Sequence, residues 1–197
     1  MKKIMFNDKY GLTQAVLEGR KTQTRRIIPK DFFSLTWDKR DDTLVYENSM
    51  GDFIDIRNSK YALCKAGEIV AVAQSYRDCG GVNEEGIPMW EIISSKVGGT
   101  NAGWSNKMFV RAELMPHQIR ITDVRIERLR DISEPNCMAE GICYYGNYGF
   151  SWDRHSKCFH DLREAYAALI DKISGKGTWE SNPYVFVYDF ELVKKWE

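Results

Sequence analysis

Apolar positions along the chain repeat with two distinct periods. Leu12, Ala15 and Val16 follow helical spacing behind Asn7 and Asp8, either of which suits an N-cap, and Gly19 stands where such a helix stops. A longer helical stripe of Phe159, Leu162, Tyr166, Leu169 and Ile173 predicts a helix over 159–173, ended by Gly175 and Gly177. Ser133, with Glu134 and Pro135 in a first turn that tolerates both, starts a short helix that Gly141 ends. Strand patterning predicts Lys3–Phe6, a hairpin within 42–57 turning at Asn48–Asp52, the buried run IVAVA after Gly67-Glu68, Lys107–Glu113, and Tyr184–Leu192 after Pro183. The segment 119–129 changes phase: Ile119 and Ile121 are odd, Val124 and Ile126 even. One regular strand cannot bury both sets on one face, so a β-bulge is expected near Thr122-Asp123.

Residues 77–106 break this order. They carry six glycines beside Trp90 and Trp104, a composition that fits either a cover over a site or an ordered loop pinned by its tryptophans. There are no repeats and no low-complexity linkers. The expected architecture is a single α+β domain over 1–197, a small curled β-barrel with flanking helices and insertions at about 30–62 and 77–106.

Composition refines the functional classes. The chain has 197 residues, with 28 Lys plus Arg against 28 Asp plus Glu, so its formal net charge is zero and a polycation that coats nucleic acid is excluded. The balance is uneven, because residues 1–30 hold eight cations against two anions. No apolar stretch has the length of a membrane helix and the first residues lack a signal-peptide core, so no membrane partner is expected. Five cysteines without a C-x-x-C pair read as reduced thiols of a cytoplasmic protein. Cys158 and His160, with Cys143 and His155 upstream, lack the paired spacing of structural zinc sites and read as a helix start with a packed thiol.

The densest polar constellation is Gly19-Arg20-Lys21-Thr22-Gln23-Thr24-Arg25-Arg26, directly after the first helix. A basic turn of this kind presents backbone N–H groups and cations to an anion, although a charge run also serves as plain solvated surface. Glu140 is the second candidate. At a helix C-terminus it faces the negative end of the dipole, so it is either exposed or paired with a cation. Buried beside a cation, such a carboxylate is suited to general acid/base work.

The octet GRKTQTRR resembles the G-x-K-x-x-T-x-R signature of ASCH domains, whose fold is similar to that of PUA RNA-binding domains. RITDVRIERLRDISEPNCMAEGI resembles the family's central strand and helix, ending in Ala139-Glu140-Gly141. GKGTWESNPYVFVYDFEL resembles the last strand of phage- and prophage-encoded members. The resemblance implies a PUA-like (ASCH) fold, with 30–62 and 77–106 as departures from the compact domain. It also implies an activity, since some small bacterial ASCH proteins are amidohydrolases that deacylate N4-acetylcytidine. By motif, Thr24 is the nucleophile, Lys21 its base or oxyanion partner, and Glu140 the proton shuttle, with no cofactor or metal.

Arg20, Thr22, Arg25 and Arg26 would bind ligand, Arg26 holding a carbonyl or phosphate. Lys21 acts as a base only if neutral, which burial and neighbouring arginines favour. In a regular strand Lys21 and Thr24 project to opposite faces; they converge only if 21–24 bends, and otherwise Thr22 competes as nucleophile. Two further readings remain open at this stage: a non-catalytic PUA-like module binding RNA or a modified nucleoside, and a phage accessory protein that binds another protein.

Overall fold

The computed structural model describes residues 1–80, 85–98 and 102–194. In chain order the regular elements are β1 (Lys3–Ile4), α1 (Leu12–Leu17), β2 (Gln23–Ile27), β3 (Trp37–Arg40), β4 (Thr43–Glu47), β5 (Phe53–Asp55) and β6 (Ile69–Val72). They continue with α2 (Met89–Val97), β7 (His117–Arg128), α3 (Glu134–Ala139), β8 (Cys143–Tyr144), β9 (Phe150–Ser151), α4 (Leu162–Ser174), α5 (Thr178–Ser181) and β10 (Tyr184–Lys194). The fold is α+β. Its main sheet runs β1-β6-β7-β10-β2, parallel only between β1 and β6.

The two longest strands carry this sheet. β7 and β10 pair antiparallel along their whole length, and the register shifts where Asp189 faces Asp123 but Phe190 faces Ile121. Thr122 is the extra residue, so the bulge lies where the phase change predicts it. The bulge lets Ile119, Ile121 and Val124 all be buried. The sheet curls until its outer strands approach: a terminal nitrogen of Arg26, on β2, donates to the Met5 carbonyl just beyond β1 at 2.6 Å. Val185, Phe186, Val187 and Tyr188 of β10, which point alternately to the two faces of the sheet, join residues of α1, α3 and α4 in the larger apolar cluster. A second cluster forms between β6, α2 and the 110–115 segment.

Several sequence expectations need correction. The first helix is not capped by Asn7 or Asp8. Residues 8–10 make a separate 3-10 turn, α1 starts after Gly11, and the Asp8 carboxylate instead accepts from the Thr13 hydroxyl and pairs with Lys107 at 2.7 Å. Lys107–Glu113 is not a strand but two 3-10 turns, 107–109 and 112–114. The Asn106 side chain bends the chain by accepting from the Met108 N–H at 2.9 Å. The Lys3 ammonium takes the carbonyls of Met108 and Val110, at 2.6 and 2.7 Å, that a ladder would use.

The hairpin at 42–57 is β4–β5, and β3 widens it into a three-stranded sheet. The last long helix begins three residues late, because Phe159 pairs with Phe150 in a β-bridge and Asp161 caps the helix through the Glu164 N–H. Of the segment 77–106, residues 81–84 and 99–101 lie outside the described residues; α2 occupies its middle, Trp104 packs on the second cluster and Trp90 is half exposed. No helix among the described residues is long and apolar enough to cross a membrane.

The turn between β8 and β9 shows how closely local geometry is set. Gly149 has φ +95°, and a Cβ there would lie 2.2 Å from the Phe159 carbonyl oxygen. Gly146, at φ +62°, has open space around it. Gly149→Ala should therefore cost at least about 3 kcal/mol, through strain plus a backbone clash. Gly146→Ala should cost only about 1–2 kcal/mol. Urea unfolding midpoints of the two variants check this, and equal losses would show that the turn yields.

Candidate active site

The octet meets Glu140 because a turn is stitched between two helix ends. At the end of α1 the N–H groups of Arg20 and Lys21 both donate to the Ala15 carbonyl at 2.9 Å, reversing the chain. The Thr22 N–H then donates to the Ala139 carbonyl at 2.9 Å, joining this turn to the last residue of α3. Glu140 follows as the C-cap of α3, and Gly141, at φ +103°, turns the chain away in a conformation few other residues adopt. β2 begins only at Gln23, so strand alternation does not govern Lys21. The anticipated conflict between Lys21 and Thr24 is thereby resolved: both line one cavity.

That cavity has a volume of about 320 Å³. One wall is polar, with Lys21, Thr24, Arg25, Arg26 and Glu140; the other is largely apolar, with Leu169, Ile170 and Ile173 of α4 beside Tyr166. Its size is at the small end of ligand pockets. Lys21 is only 2% exposed and Glu140 5%. The Lys21 ammonium donates to Glu140 Oε2 at 2.5 Å, to the Glu140 carbonyl at 2.8 Å and to the Gln23 carbonyl at 2.8 Å. It thus neutralises a carboxylate at the negative end of the helix and also satisfies a terminal carbonyl. An ammonium has three donors, and all three are used.

The second carboxylate oxygen of Glu140 belongs to Arg25, 3.2 Å away, whose other terminal nitrogen pairs with Glu127 at 3.0 Å. The same Arg25 nitrogen that meets Glu140 also donates to Gln23 Oε1. Gln23 Nε2 donates to Asp189 at 2.5 Å, and Asp189 and Glu127 both bind Arg125. Burial pulls the Lys21 pKa below its ordinary 10.5; the Glu140 charge opposes that shift, and Arg26 and Arg25 reinforce it. Burial likewise pushes Tyr166 well above 10, so it stays a phenol. Arg25 Nε, Arg26 Nε and the Tyr166 hydroxyl are buried without a hydrogen-bond partner among the described residues. These three belong to side chains lining this cavity, whereas the fourth such group among the described residues, Trp152 Nε1, does not.

Of the sequence-derived site residues, Lys21, Thr24, Arg25, Arg26 and Glu140 come together here. Arg20 and Thr22 do not. Arg20 is exposed, pairs with Glu18 at 2.6 Å and touches Cys143 Sγ at 3.3 Å. Thr22 is exposed because its backbone is held between Ala139 and Phe190, which excludes it as a competing nucleophile in this cavity. Thr24 is buried, and its hydroxyl has no hydrogen-bond partner among the described residues, Lys21 included. Gln23, Glu127, Asp189 and Tyr166 were missed by motif reasoning. Tyr166 was hidden in an apolar stripe, and the acids are far away in sequence. Among the described residues no group of three or more His, Cys, Asp or Glu gathers to hold a metal.

The charge pair has a stability consequence. Glu140→Gln leaves Lys21 and Arg25 desolvated without their shared anion and should cost about 3–5 kcal/mol. Lys21→Met should cost less, because Arg25 still answers Glu140. The double variant should lose clearly less than the sum of the single losses. Additive losses in urea titrations would contradict a coupled pair.

No family model and no curated protein matches the chain. Among solved structures it is similar to an Enterococcus faecalis protein of the DUF984 family model. They share 16% identity over 98% of this chain and 79% of the other, at a TM-score of 0.41. It is also similar to an ASCH domain from Lactobacillus crispatus, with 12% identity over 97% of this chain and 78% of that one, at a TM-score of 0.41. At this level the likeness says nothing of activity, and the site stands on its own geometry.

Proposed function

We infer that the cavity hydrolyses a small N-acylated substrate of the acylated-nucleoside type, with Thr24 as nucleophile. The observation that carries this reading is the buried Lys21–Glu140 contact at 2.5 Å in a cavity that also holds the free Thr24 hydroxyl. In the proposed cycle the Lys21 ammonium, whose pKa burial lowers, passes one proton across the 2.5 Å contact to Glu140 and becomes a neutral amine. Thr24 Oγ attacks the amide carbonyl carbon while its proton reaches the Lys21 amine through one water. The oxyanion forms beside the cationic wall. As the C–N bond breaks, protonated Glu140 gives its proton to the leaving amine, so an acyl ester remains on Thr24 and the Lys21–Glu140 ion pair is restored. A second proton transfer from Lys21 to Glu140 lets Lys21 take a proton from water. Water then displaces the Thr24 oxygen, Glu140 reprotonates that oxygen, and the carboxylic acid leaves.

A second reading is a non-catalytic module for a modified nucleoside. It is favoured by the saturation of Lys21 with three acceptors, none of them Thr24. Incubation with N4-acetylcytidine separates the two readings. Release of cytidine and acetate by the wild type should fall at least about a hundredfold in Lys21→Ala, Thr24→Ala and Glu140→Ala. Tight binding without turnover would move the assignment to the module.

The pH dependence has a defined sign. The reacting form keeps one proton on the Lys21–Glu140 pair, so kcat/KM should fall as pH rises through the Lys21 pKa, which burial holds below 10.5. In Glu140→Gln no carboxyl can take that proton, so the slowed residual rate should instead rise with pH through the Lys21 pKa, which loss of the Glu140 charge lowers further. A residual rate in Glu140→Gln that does not rise with pH would remove Lys21 from the role of base.

A further inference from the structure

Arg26 differs from the other cations of the cavity because no carboxylate pairs with it. Lys21 has Glu140, and Arg25 has Glu140 and Glu127. Arg26 makes no ion pair among the described residues. Among the described residues its side chain makes one hydrogen bond, to the Met5 carbonyl, and its guanidinium carbon lies 6.0 Å from the Phe6 ring. A guanidinium has five N–H donors, and Nε is buried without a partner. Burial pulls Arg26 below its ordinary 12.5, and the carboxylate that opposes the shift is Glu140, which already serves two other cations.

A structural role alone explains this poorly. Tying β1 to β2 needs one donor, which a neutral side chain supplies without the cost of desolvating a charge. The cavity wall instead sets Lys21, Arg25 and Arg26 against a single lining carboxylate. An arginine left unpaired in such a wall is suited to bidentate recognition of carboxylate or phosphate oxygens.

The geometry points to Arg26 as an anion anchor: the substrate of this cavity carries a phosphate or carboxylate group. Its class is then an acylated nucleotide, or an acylated nucleoside whose acyl chain ends in an acid, rather than a neutral nucleoside. This rests on the cavity being the substrate site, as proposed above, and is independent of any covalent chemistry at Thr24.

Calorimetric titration tests it with two matched pairs of probes: cytidine 5′-monophosphate against cytidine, and N4-succinylcytidine against N4-acetylcytidine. At least one anionic probe should bind about tenfold tighter than its neutral counterpart, and which one does so identifies the source of the charge. Added salt should erode that gain while leaving the neutral probes unaffected. Arg26→Gln should reduce the gain to within about twofold, and Arg26→Lys should keep part of it. Should Arg26→Gln fail to fold, the matched pairs, the salt series and Arg26→Lys decide the matter. Equal affinity within both pairs, or a gain undiminished in Arg26→Gln, overturns the anchor. Anion preference without amide hydrolysis would refute the proposed chemistry and leave the anchor standing. Turnover of N4-acetylcytidine as efficient as that of its 5′-phosphate and of N4-succinylcytidine would do the reverse.

Discussion

Removing Lys21 and Glu140 from water is the constraint around which the molecule is arranged. Each buried charge costs several kcal/mol after relaxation, and that cost is offset only when the remaining donors and acceptors are matched. Here the match is close to complete. The three ammonium protons meet two carbonyls and a carboxylate, and the second carboxylate oxygen meets Arg25. These partners come from β2 and the end of α3, so the strand and the helix end must arrive together for the pair to be tolerated. The Thr22–Ala139 hydrogen bond secures that arrival through the backbone alone.

Behind this pair lies a charged layer that fixes orientation. Gln23 donates to Asp189, so its carbonyl oxygen must face Arg25, and Arg25 is then held between Gln23, Glu140 and Glu127. Arg125 closes the layer by binding Glu127 and Asp189 from β7. Asp189 stands at the register shift opposite Asp123, so the bulge that reconciles the apolar phases of β7 adjoins the charged layer. Packing and electrostatics thus meet at one place on the sheet. The result is a polar wall held from three strands and a helix end, facing an apolar wall supplied by α4.

The outer parts of the chain follow separate rules. The β3–β5 sheet buries Leu44 and Val45 and gathers Phe32, Trp37, Tyr46 and Tyr61 into an aromatic group. The 107–114 segment is held to the entry strand by Lys3, and the 143–160 region is closed by the Phe150–Phe159 bridge. None of these contributes a lining residue to the cavity, except that the β1–α1 connection supplies Phe6 and Asn7 at one side.

Much of this was legible in the sequence, for reasons of period and local chemistry. A strand that buries one face must alternate, so the phase change at Thr122 revealed the bulge before any coordinates. Lys21, Thr24 and Glu140 could be singled out because short motifs keep their residue types in order. What periodicity could not decide was any choice between competing local solutions, such as the cap at Gly11 rather than Asp8, or the turns at 107–114. There, distant groups such as Lys107 and Lys3 claimed the polar atoms. Nor could the linear chain separate Arg25 and Arg26 from Arg20 within a single octet. Burial and partnership arise only when the chain folds back to bring Glu140 to Lys21, 119 positions earlier in sequence. The sequence alone determined which chemistry was at hand; the tertiary structure decided which charges are desolvated, which are paired, and that Arg26 is left without a carboxylate.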